Sequence, residues 1–218
     1  MYPQRKSHSR ICFIGDAFTV GAGDETALGW VGRLARNEWN NDHDITIYNL
    51  GVRGNSCRQI APRWRNECEL RLPENSMGRL VFMFGGNDAK EVVGQGVEVT
   101  LDDAAEIAEE MMSEASQWLP TLWIGMIPMN EQLPYPLLLP GAPQFRFSNA
   151  RQSEYNETYK KIANKLGIPF LDLHSQLLED SRWMDLTQRG DGSNPAGEGY
   201  AYIADRISAW SAWRAWFD

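Results

Sequence analysis

Short apolar runs alternate along this chain with longer stretches of helical spacing. Residues 11–15, 45–50, 80–84, 122–127 and 168–171 form runs of four to six residues. Turn chemistry bounds each of them, so they read as buried strands. Between them, residues 27–39, 59–72, 101–119 and 149–166 carry helix-compatible spacing, and residues 200–217 close the chain as an amphipathic helix. Strands that are apolar throughout and separated by crossover helices predict a five-stranded parallel sheet covered on both faces. The expected fold class is therefore α/β, a three-layer α/β/α sandwich. No repeat, low-complexity tract or shift in composition interrupts the pattern, so residues 1–218 are expected to form one domain.

One segment departs from this alternation. Residues 128–147 hold five prolines, the run Leu137, Leu138 and Leu139, and the aromatics Tyr135, Phe145 and Phe147, with neither a helical nor a strand period. It reads as a long ordered loop after the fourth strand, at the edge where open parallel sheets bind ligands. Leu133, Tyr135 and Phe145 are its candidate substrate contacts. A hydrophobic loop packed on its own domain is the other reading.

Composition narrows the function. A formal net charge of −8 argues against nucleic acid or an anionic membrane as partner, since both demand a basic surface. A small uncharged molecule fits better. No apolar run approaches the roughly 20 residues that span a bilayer, and residues 1–10 lack the apolar core of a secretory signal, which points to the cytoplasm unless a signal has been removed. Cys12, Cys57 and Cys68 have no C-x-x-C spacing and read as buried free thiols. With three scattered histidines, His8, His43 and His174, neither a zinc set nor any other metal is expected, and no cofactor is implied.

Four polar or glycine-rich blocks fall on the C-terminal edge of the predicted sheet. They are Gly15-Asp16-Ala17 after the first strand, Gly51 to Ser56 after the second, Gly85-Gly86-Asn87-Asp88 after the third, and Asp191-Gly192-Ser193-Asn194-Pro195 before the last helix. In order and spacing they resemble the blocks of the GDSL/SGNH hydrolases, over essentially the whole chain. The resemblance implies a flavodoxin-like topology and hydrolysis of carboxylic esters by a Ser-His-Asp triad. It places the nucleophile position at Ala17, the orienting aspartate at Asp191 and the base position at Asn194, with an oxyanion hole from Ala17, Gly54 and Asn87. Asp16, beside the nucleophile position, is a further candidate substrate contact.

Two of these positions carry the wrong chemistry. Alanine offers no nucleophile, and an asparagine amide takes up no proton near neutral pH. Removing a triad member leaves a residual acceleration of about 10³ to 10⁴ over water, so the chain as written is expected to be nearly inactive. Two explanations compete: substitutions engineered to trap a substrate, and a natural pseudo-esterase that binds an acyl or carbohydrate ester without turnover. A flavin or nucleotide site of flavodoxin type is a third hypothesis, opposed by Asp16, Asp24 and Glu25, which would repel a phosphate.

The remaining candidates have structural readings. Ser56 reads as a helix N-cap, Asp16 as a turn-shaping carboxylate, and Asp24 and Glu25 as caps of the first helix. His174 lies just past the fifth strand and has no nucleophile to activate. Trp210, Trp213, Trp216 and Phe217 make a packing stripe on the last helix.

Overall fold

The computed structural model describes residues 7–39, 42–132, 143–190 and 194–217. In chain order, β1 (Ser7–Gly15) leads through the single turn α1 (Ala17–Val20) to α2 (Gly29–Glu38). β2 (His43–Gly51) leads through α3 (Cys57–Ile60) and α4 (Trp64–Glu69) to β3 (Met77–Met83). The short strands β4 (Glu91–Val92) and β5 (Gly96–Val97) precede α5 (Leu101–Trp118) and β6 (Thr121–Ile124). β7 (Phe145–Arg146), α6 (Asn149–Leu166), β8 (Phe170–Leu171), α7 (Leu173–Leu178) and α8 (Ser181–Thr187) follow. α9 (Gly197–Ser208) and α10 (Ser211–Arg214) complete the order.

Five strands pair in parallel in the order β2-β1-β3-β6-β8. In the central strands the apolar runs lack a strand period because both faces are buried; β2, expected to be buried, lies at the sheet edge and is covered only in part, with Leu50 its one buried residue. Along β1, Cys12 and Ile14 join one core with Trp64, Phe82, Met112, Trp123 and Tyr159, while Ile11 and Phe13 join another with Trp30, Val81, Trp183 and Ile203. Helices on each side supply the partners, which gives the expected α/β/α sandwich. The strand order reverses between β1 and β3, and such a switch point opens a crevice outside the strands' C-terminal ends.

Local chemistry revises several expected elements. The helix predicted over residues 59–72 is two, α3 and α4. Pro62, between them, lacks the N–H that would continue the helical ladder. The closing helix breaks at Trp210, whose extended backbone lets Trp213 turn into the core. Trp213 is buried against Phe13 at 6.2 Å between ring centres, and its Nε1–H donates to Glu38 Oε1 at 2.9 Å. The packing role of the aromatic stripe holds, but only Trp213 lies in a helix; Trp210 precedes α10, and Trp216 and Phe217 follow it. Within the segment read as a loop, Phe145–Arg146 is a strand, antiparallel to β4 with Val92 opposite Phe145. The helices α7 and α8 escape notice in sequence because each is only about two turns long.

Candidate active site

The crevice is built from three loops. At the first, a Cβ on Gly15 would stand 2.0 Å from the Met83 carbonyl oxygen, so the ends of β1 and β3 approach this closely only with glycine there. Asp16 follows as the N-cap of α1, its Oδ1 accepting from the Phe18 N–H at 3.0 Å. This is the turn-shaping role expected of it. At the second loop, Asn49 Nδ2 donates to the Thr19 carbonyl at 2.8 Å, tying β2's end to α1. The chain then turns through Gly54, at φ 81°, a left-handed conformation that glycine adopts without a Cβ penalty. Ser56 caps α3 as expected, its N–H donating to Gln59 Oε1 at 2.7 Å in a capping box.

The third loop locks the other two. Asn87 spends both amide hydrogens, on Asp16 Oδ2 at 3.0 Å and on the Asn55 carbonyl at 3.1 Å. Asp88 is fully buried; its Oδ1 accepts from the Cys57 N–H at 2.6 Å and its Oδ2 from the Tyr159 hydroxyl at 2.9 Å. Asn87 and Asp88 are therefore the struts that hold the second loop and α6 against the end of β3.

These loops enclose a cavity of about 360 Å³. Of the residues singled out from sequence, it brings together Asp16, Ala17, Gly54, Asn87, Phe145 and Asn194. Leu133, Tyr135 and Asp191 lie outside the described residues. Phe18, Met129 and Phe147 add to the apolar wall, and Arg53, Asn55 and Gln59 to the polar one. The N–H groups of Ala17 and Gly54 have no acceptor among the described residues. Both residues line the cavity. Among the described lining residues no side chain carries a hydroxyl, a thiol or an imidazole.

Sequence reasoning missed Lys90. It follows Asn87 by three residues and, although a lysine, is only 7% exposed. Its Nζ donates to Asn87 Oδ1 at 3.4 Å and lies 4.7 Å from the centre of the Phe145 ring, a cation–π placement. A lysine two residues past the third predicted block of an acidic chain was the available signal.

Burial sets the electrostatics. Asp16 is pushed up to about 7, first by desolvation and then by the negative charge of Asp88, against the Phe18 N–H, the Asn87 amide and Lys90. Asp88 is raised for the same leading reason. Lys90 is pulled down by desolvation, while Glu98, Asp16 and Asp88 oppose that shift.

Other candidates leave the site. His174 is buried on α7, away from the cavity lining, with burial lowering its pKa. Asp24 accepts from the Gly29 N–H at 2.7 Å and so caps α2 as expected, and it also pairs with Arg33. Glu25 does not cap that helix: its Oε2 accepts from the Gly197 N–H at 2.9 Å, at the first residue of α9. Its side chain reaches across to the layer that packs on α2. The three cysteines are buried and free.

Residues 13–202, which include all four blocks, match the GDSL-like lipase/acylhydrolase family. The chain belongs to that family. Solved relatives share the fold of this GDSL-family chain. A lipase/acylhydrolase from Enterococcus faecalis is 20% identical, with a TM-score of 0.67 over 92% of this chain and 95% of that one. An acetylxylan esterase from Geobacillus stearothermophilus is 20% identical at a TM-score of 0.67, covering 97% of this chain and 98% of its own. By sequence, the uncharacterized protein YpmR of Bacillus subtilis is 22% identical over 93% of this chain and 81% of its own length. No helix among the described residues is long and apolar enough to cross a membrane.

Proposed function

We propose that this family member recognises a carboxylic ester in the cavity of an acylhydrolase but does not turn it over by the serine mechanism. The observation that carries this reading is the lining itself: N–H groups at Ala17 and Gly54 with no acceptor among the described residues, beside described lining residues that offer neither a nucleophilic hydroxyl nor an imidazole. In the family pattern Ala17 stands at the nucleophile position, Asn194 at the base position and Asp191 at the orienting carboxylate. An ester carbonyl oxygen accepts from the Ala17 and Gly54 N–H groups, and such donors contribute about 3 kcal/mol each where charge develops on oxygen. Asn87, the family's third donor, already gives both hydrogens to protein acceptors. It holds Asp16 and the second loop in place, and enters the hole only by exchanging one of those bonds. Phe145, Phe147 and Met129 supply an apolar wall for the acyl or alcohol group. The acetylxylan esterase among the structural relatives makes a short acyl group on a carbohydrate one candidate ester. Residues 1–218 act as one domain in this reading.

The test is the double reversion Ala17→Ser with Asn194→His, assayed beside the parent on p-nitrophenyl acetate, butyrate and octanoate. The parent is expected at background and the revertant several orders of magnitude above it. A folded revertant that stays flat overturns the esterase-pocket assignment, and a parent that turns over esters at enzymatic rates overturns the inactivity.

A further inference from the structure

Lys90 is the one buried cation among the described lining residues, and it has no close ion-pair partner. No carboxylate among the described residues lies within ion-pair distance of its Nζ, although the chain carries a net charge of −8. Its two contacts are the long bond to Asn87 Oδ1 and the face of Phe145. Glu98, Asp16 and Asp88 act on Lys90 only from beyond ion-pair distance, and the two buried ones are hydrogen-bonded elsewhere, Asp16 to the Phe18 N–H and Asn87, and Asp88 to the Cys57 N–H and Tyr159. An ammonium withdrawn from water without a close partner is costly, and an anion delivered into the same cavity removes that cost.

Resting on the reading of the cavity as an acyl site, we propose that its resident ligand is a carboxylate rather than a neutral ester. One oxygen accepts from the Ala17 and Gly54 N–H groups and the other meets Lys90 Nζ. The arrangement selects a carboxylate by its parts. Two N–H donors and one ammonium match a planar group with two oxygens, and the Phe145, Phe147 and Met129 wall requires an apolar tail behind it. The cavity, at the small end of ligand-pocket sizes, suits a short acyl or aromatic tail. The absence of a hydroxyl at Ala17 fits the same ligand, because a carboxylate needs no nucleophile and a side chain there would compete for the oxygen's place. The chain thus holds what a hydrolase of this family would release as its acid product.

The test is calorimetric titration of the full chain with butyrate, butyramide, methyl butyrate and inorganic phosphate, repeated on Lys90→Met. Butyrate is expected to bind roughly ten- to a hundredfold tighter than butyramide, the gain from a charge-assisted hydrogen bond. Lys90→Met is expected to erase the difference between the two. The comparison on the parent needs no variant, so a misfolded Lys90→Met would not rescue the idea. Butyrate no tighter than butyramide, or phosphate tighter than both, overturns the carboxylate. If methyl butyrate binds well while butyrate does not, the ester-binding function stands and only the carboxylate falls. If none of the acyl compounds binds, both fall.

Discussion

Replacing Asp16 by Asn removes a carboxyl that the fold accommodates best when protonated. Asp16 is 4% exposed, and its pKa rises from the ordinary 3.8 to about 7, chiefly because burial strips water from the charged form. Between those values the folded chain binds a proton that the unfolded chain has released. Stability from this group is therefore fully present below pH 3.8 and is lost as pH rises through 7. A rise of about three pH units at 1.36 kcal/mol each sets the full loss at about 4 kcal/mol. Over the usable window from pH 5 to pH 8, the share is about 2.5 kcal/mol. The Asp16→Asn chain lacks that loss. It carries a different and constant offset, because an amide at this position must face the Asn87 amide, but a constant offset cancels when two pH values are compared. His174, Asp88 and Lys90 titrate in both proteins, and Asp88, relieved of a negative neighbour, changes in the same sense. The assay is urea unfolding followed by tryptophan fluorescence, with Trp30, Trp64, Trp123, Trp183 and Trp213 all fully buried reporters. The parent is expected to lose about 2.5 kcal/mol more than Asp16→Asn between pH 5 and pH 8. Stability profiles that run parallel within about 0.5 kcal/mol would refute the assignment of a buried, proton-holding carboxyl beside Ala17.

Two further substitutions probe the frame of the site. Gly15→Ala puts a methyl 2.0 Å from the Met83 carbonyl oxygen and 2.2 Å from Thr19 Oγ1, and is expected to destabilise by at least about 2 kcal/mol in the same assay; an unchanged midpoint would deny the close approach of β1 to β3. Asp88→Ala strands the Cys57 N–H and the buried Tyr159 hydroxyl, at a cost of about 2 to 5 kcal/mol. Wild-type stability in that variant would mean that Asp88 does not tie the second loop to α6.

The division between sequence and structure is clearest along β1. Ile11, Cys12, Phe13 and Ile14 are apolar in succession because neighbours cover both faces of the strand, and that alone announced a buried parallel sheet with helices on either side. The order of the four blocks likewise carried the family, since three of them sit where a strand ends and a turn must form and the fourth precedes the last long helix. Ala17 and Asn194 drew notice in the sequence because, at positions where the resemblance expects a nucleophile and a base, neither side chain carries the required atoms. What one-dimensional pattern could not carry was pairing across long separations. β7 exists only because β4 offers it an edge, Glu25 serves a helix 172 residues away, and Asn87 is a strut because Asp16 and Asn55 arrive beside it. Lys90 shows the same limit most sharply: a lysine is ordinarily a solvated side chain, and only the convergence of three loops at the switch point between β1 and β3 turns this one inward, against Phe145 and into the cavity.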